Sequence, residues 1–192
     1  MSDIFEVTLL YGGACSWARV TDRESSAVEV TPRALGEPLL PFARMDVVYQ
    51  NVESDVDAVD VRAEAGYGPL GAHLDLTRYR EQFPSDDLNI IRALGVYRMS
   101  FGSHVEIDLG CGVLTLSEQQ TDSRFLFSLP VLVHPSAYWG IEFRPAWADR
   151  VNDYDLAVLL NRHYASLKLG YRWVDSPHES LDGPYVGISI RL

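Results

Sequence analysis

The chain has no apolar run approaching the roughly 20 residues that a membrane-spanning helix needs, which excludes a helical membrane protein. Positive charge is also scarce. Sixteen Lys and Arg stand against 27 Asp and Glu, a net charge of -11, and nucleic-acid phosphates would be repelled by that balance. Cysteine is limited to Cys15 and Cys111, far apart and without metal spacing. They read as two small apolar residues, buried or lipid-facing; a single long-range disulfide in an oxidising compartment stays open. The opening Met1-Ser-Asp-Ile-Phe-Glu lacks a basic n-region and an apolar h-region, so an exported form is expected to be a mature chain with an added Met1. Gly12-Gly13 and Gly110-Cys-Gly112 precede no helix with the Lys of a phosphate loop. His134 and the loop pair His178-Glu179 lack ligand spacing, so no metal and no cofactor is expected.

What the sequence has is alternation. Val59, Val61, Ala63, Ala65 and Tyr67 alternate with Asp60, Arg62, Glu64 and Gly66. Ala72, Leu74 and Leu76 alternate with His73, Asp75 and Thr77. Ile91 to Met99, Val105 to Val113, Phe125 to Val131, Trp139 to Phe143 and Leu167 to Trp173 repeat the pattern. The segment Gly183–Leu192 is the clearest case, with Val186, Ile188, Ile190 and Leu192 on one face and Tyr185, Gly187, Ser189 and Arg191 on the other. Period 2 with turn residues between is the signature of an all-β barrel or sandwich. Taken with the glycines, aromatics and charges on the strand faces, the expected fold is an antiparallel up-and-down transmembrane barrel of about 10–12 strands, as one domain over residues 1–192. Ile4–Val20 reads as one strand or two, residues 21–41 as a long connection or plug-like segment, and Phe42–Val52 as a strand. Asp153–Leu160 fits either a strand or a short helix at the rim.

Connections near 68–70, 101–103 and 134–136 look tight, and those at 81–88, 118–123, 148–152 and 174–182 look long and polar. The long ones would then share one barrel end, with the C-terminal strand ending at the other. Asp86-Asp87 and Asp149 to Asp155 read as solvated acidic loops.

Alternation alone fits two opposite proteins: a soluble barrel with apolar rows inside, or a membrane barrel with those rows in lipid. Glycines on the charged rows (Gly66, Gly110, Gly112, Gly140, Gly170, Gly187) favour the second, because inside a narrow barrel they leave room for Arg and Tyr. Tyr67, Trp139, Trp147, Tyr171, Trp173 and Tyr185 near strand ends suit interfacial girdles. The charged rows mix signs, as an interior of interlocked ion pairs requires.

On these residues the chain resembles the small bacterial outer-membrane β-barrel proteins. It departs from them in the absent signal peptide and in Leu192, where such proteins most often have Phe. The resemblance implies a monomer in the bacterial outer membrane, with lipid and lipopolysaccharide as partners and small ions or solutes as any cargo. A structural or narrow porin-like role is expected, with Arg62, Glu64, Asp75, Arg92, Arg98, Glu106, Asp108, Glu142, Arg144, Lys168 and Arg172 as lumen candidates. Two alternatives stay open: a soluble lipocalin-like barrel binding an apolar ligand, and an outer-membrane lipid hydrolase. The hydrolase reading meets an obstacle, since His163 and Ser166 are spaced to opposite strand faces. A non-enzyme is therefore expected.

Overall fold

A computed structural model describes residues 41–52, 56–81, 87–101, 104–117, 121–162, 164–176 and 180–191. All of the regular structure among them is β. In chain order the strands are β1 (Pro41–Val52), β2 (Val56–Tyr67), β3 (Leu70–Glu81), β4 (Asp87–Phe101), β5 (Val105–Ser117), β6 (Thr121–Ser128), β7 (Val131–Ser136), β8 (Trp139–Ala148), β9 (Val151–Arg162), β10 (Ala165–Asp175) and β11 (Gly183–Arg191). The expected strands within Ile4–Val20 and the 21–41 connection lie outside the described residues, except that Pro41 opens β1.

The sheet closes on itself. Except for β6 and β7, which do not pair with each other, each strand pairs antiparallel with its neighbours in sequence, and β1 pairs with β11 from Arg44↔Arg191 to Gln50↔Tyr185. The eleven strands occupy ten positions around the barrel, because β6 and β7 are halves of one strand. Both pair with β5 and with β8, and the register runs unbroken across the gap between them: Gly110↔Ser128 continues to Ile107↔Val131, and Leu126↔Ala148 continues to Val131↔Phe143, before a shift between Val133 and Ser136. Pro130, which has no N–H, causes the break. Around it Asp108 N still donates to Pro130 O (2.8 Å) and Leu129 N to Pro145 O (3.1 Å).

Several connections differ from the sequence-based expectation. The segment predicted as a long loop at 148–152 is a two-residue turn, Asp149-Arg150, with Arg150 left-handed at φ 61°. The tight turn predicted at 134–136 falls instead at 137–138, because strand pairing carries β7 through Ser136. The 118–123 connection is shortened by β6, which begins at Thr121. Only 82–86 and 176–182 are longer connections, so the expected alternation of tight and long turns is weak. At 68–69, Gly68 (φ 61°) followed by Pro69 is the glycine-first turn that matches hairpin twist. Residues 151–162 form strand β9, which settles that segment against the helix.

Which face is inside is clear from burial. Met45, Val47, Leu74, Leu76, Ile91, Leu109, Phe127, Ile141, Phe143, Leu156, Val158, Leu167, Leu169, Val186, Ile188 and Ile190 all face outward and are exposed. The charged rows point inward. In water this arrangement would waste the hydrophobic effect and desolvate charge as well; in lipid it matches each face to its surroundings. The soluble lipocalin-like alternative requires the reverse and is overturned. On β8 the outward stretch from Trp139 to Trp147 rises roughly 27 Å, about 21 Å along the axis at a ~40° tilt, close to the usual apolar band.

Candidate functional site: the ionic interior

Strand register builds the interior. Adjacent strands put opposite charges side by side: Asp46↔Arg62↔Asp75↔Arg92 runs across β1 to β4. On the far wall Arg144↔Asp155↔Arg172 runs across β8 to β10. Arg44↔Glu64 and Arg98↔Asp108 add two more such pairs. Because residues on one strand face recur every second position, a one-residue slip would send these charges into lipid, so the register is tightly specified.

The side chains then reach across the lumen. Nearest the end where β11 finishes, Arg98 lies 3.4 Å from both Glu106 and Asp108 and stacks over the Phe42 ring at 3.7 Å. Below the middle, Arg44 holds Asp46 (2.7 Å) and Glu142 (2.8 Å), and its Nε donates to Ser189 Oγ (3.0 Å). Arg144 donates to Glu64 and lies 3.5 Å from Glu142. Lys168, wholly buried, meets Glu142 at 2.6 Å, Asp46 at 3.5 Å and Asp155 at 3.8 Å. Further along, Arg62 contacts Asp75 (3.2 Å), Asp60 (3.3 Å) and Asp155 (3.4 Å). Arg92 and Arg172 share Asp153 at 2.6 and 2.8 Å, and Thr77 Oγ1 donates to Asp60 at 2.9 Å.

Beyond this network, toward the end carrying 82–86 and 176–182, the interior turns apolar. Val52, Val56, Ala58, Tyr79, Ile90, Leu114, Leu126, Ala146, Val151 and Val174 pack together there, with Leu88, Leu116, Ala148 and Leu181 against them. The barrel is therefore filled by two materials in series, an ionic core and an apolar cap.

Of the eleven lumen candidates, ten are buried inside the barrel and Glu106 is half-buried there. Sequence reasoning missed Arg44, Asp46, Asp153 and Asp155. The two β9 aspartates were read as a solvated acidic loop; they are inward and buried, and their signal was present in their alternation with Tyr154, Leu156, Val158 and Leu160 on the outward row. Asp46 and Arg44 alternate likewise with Met45 and Val47.

Glycine placement explains how so many large groups fit. A Cβ on Gly170 would stand 2.5 Å from Tyr185 Cζ. Tyr185 is thus an interior residue, donating to Asp155, and not the girdle residue expected. Tyr67, Trp139, Trp147 and Trp173 do face outward near strand ends. Trp147 stacks on Phe127 (5.8 Å) and donates to the Tyr154 hydroxyl (3.2 Å). Cys111 is exposed on the outer wall. Ser166 is buried and donates to Asn161 Oδ1 at 2.7 Å. Cys15, His163, His178 and Glu179 lie outside the described residues.

A closed antiparallel barrel with an apolar exterior and a salt-bridged interior is the inside-out class of β-barrel, built for a bilayer. No protein-family model matches the sequence, and no curated protein matches it either. Among the solved structures that resemble it in fold are the following three. The N-terminal β-barrel domain of Pseudomonas aeruginosa OprF gives a TM-score of 0.41 at 8% identity, covering 79% of this chain and 97% of that one. Neisserial surface protein A (NspA) gives 0.37 at 18% identity, covering 80% and 99%. The translocator domain of autotransporter NalP from Neisseria meningitidis gives 0.35 at 10% identity, covering 100% and 95%. At these identities the likeness is one of barrel architecture.

Proposed function

We propose that the chain is a bacterial outer-membrane barrel whose role is structural, a closed transmembrane wall that passes no solute and catalyses no reaction. One observation carries this reading: the interior is occupied along its length, first by cross-linked charges and then by the apolar cap. An ion entering from either side would have to break pairs in a low-dielectric interior and then cross a dry apolar layer, both of which are costly. The partners that fit are the lipids around the apolar band.

Planar-bilayer recording tests the proposal. The purified barrel should insert and give no stepwise current above the bare bilayer; regular unitary steps overturn it. In that event the narrow-channel role returns, with Arg62, Arg92, Arg98, Arg144 and Arg172 setting selectivity. Arg172→Ala would then shift the reversal potential under a salt gradient.

A further inference from the structure

Two spaces of about 20 Å³ each lie within the ionic core, and Pro130 and Arg144 line both. A space of that size admits one water molecule, for which about 10–15 Å³ suffices. Seven of the ten buried polar side-chain atoms without a hydrogen-bond partner among the described residues belong to residues lining these two places. Arg62 Nε, His73 Nε2 and Asp75 Oδ1 belong to residues lining the first; Arg98 Nε, Arg98 Nη1 and Asp108 Oδ1 belong to residues lining the second. Arg144 Nη1 belongs to both linings.

The neighbouring groups come close without bonding. His73 Nε2 stops 4.0 Å from Asp108 Oδ2, while Arg62 Nε lies 3.2 Å from Asp75 Oδ1 and Arg98 Nε 3.4 Å from Asp108 Oδ1, both ion-paired but without hydrogen-bond alignment. The strand ladder adds a further demand. Asp108 N donates to Pro130 O and Leu129 N to Pro145 O, but neither proline can return a bond, so the Asp108 and Leu129 carbonyls lose their strand donors.

The chemistry of the two linings selects the ligand. In the first, Arg62, Arg92 and Arg144 face Asp75, Asp153 and Asp155. In the second, Arg44, Arg98 and Arg144 face four carboxylates, Asp108 among them. A cation would be pressed against guanidinium groups and an anion against carboxylates. Water both donates and accepts, so it satisfies a mixed set of orphaned donors and acceptors. We infer that the ionic core binds two water molecules, one on each side of Pro130, with Arg144 contacting both. The core is then hydrated at two fixed points without offering an ion path.

The test is a crystal structure of the purified barrel at a resolution that shows ordered water, with a second crystal soaked in caesium bromide. The expected result is one density peak in each space, with two to four polar partners at roughly 2.6–3.2 Å, and no anomalous signal at either after the soak. An anomalous peak in either space makes it an ion site and overturns the inference. Direct pairing of the orphaned atoms with no density between them overturns it equally. Neither outcome touches the closed-barrel reading, which is tested by conduction.

Discussion

Gly170 and Lys168 are inward-facing positions on one strand, and they show how narrow the interior tolerances are. An added Cβ at Gly170 would meet Tyr185 Cζ at 2.5 Å and its hydroxyl at 2.6 Å. Gly170→Ala should therefore destabilise the barrel by about 1–3 kcal/mol through overpacking. Urea unfolding in lipid–detergent micelles, followed by tryptophan fluorescence, measures this, and combining the change with Tyr185→Leu should recover part of the loss. Lys168 is the only cation within ion-pair distance of Asp46, Glu142 and Asp155 together among the described residues. Lys168→Met should cost about 3–5 kcal/mol, because it removes a buried cation from among three carboxylates and leaves them with one positive charge too few. The same unfolding assay reads it, and an unchanged midpoint would refute the bridging role. Much of this was legible in residue identity: mixed charges and glycines sharing a strand face already pointed to a crowded, paired interior. What was not legible was reach. Arg144 finds Glu64 and Arg172 shares Asp153 with Arg92 only after closure brings distant strands face to face.

At the scale of strands, alternation located β2 to β5, β8, β10 and β11 well, since period 2 leaves a strong trace wherever one face meets lipid, while β9 was open between strand and helix. Turn positions were less legible. Pairing energy carried β7 past His134 and Pro135 to Ser136, and it closed β8 to β9 through Asp149-Arg150 although the local sequence looks like a longer polar loop. The split between β6 and β7 follows from one residue. Pro130→Ala restores an N–H opposite the Asp108 carbonyl and should fuse the two halves into one strand. Hydrogen exchange in micelles should show the new amide at 130 protected, comparably with its neighbours on β5. Rapid exchange there would mean that the break has another cause. The offsetting loss of proline rigidity leaves global stability nearly unchanged, so exchange is the informative readout.

For the whole molecule, the outer wall decides where the protein can live. Leu156, exposed near the middle of β9, faces lipid in this reading. Leu156→Arg should cost roughly 2–4 kcal/mol in bilayers, as a charge near the midplane does. Refolding into vesicles, monitored by the heat-modifiable gel shift, should show the loss, whereas Leu156→Val should leave it intact. Equal refolding of both variants would count against a transmembrane wall. The closing seam has one more consequence, for the order of assembly. With β6 and β7 counted as one, every other pair among the described strands joins neighbours in the chain, but Arg44 and Ser189, hydrogen-bonded across the β1–β11 side, are 145 residues apart. Hairpins can therefore form one after another at little loop-closure cost, while the ring stays open until its two edges meet. Until then the charges of the core have no opposite wall, and both edges offer unpaired backbone to any passing strand. The late joining of β1 to β11 is thus the slow, exposed step of folding, and the one at which assistance from another protein would matter most.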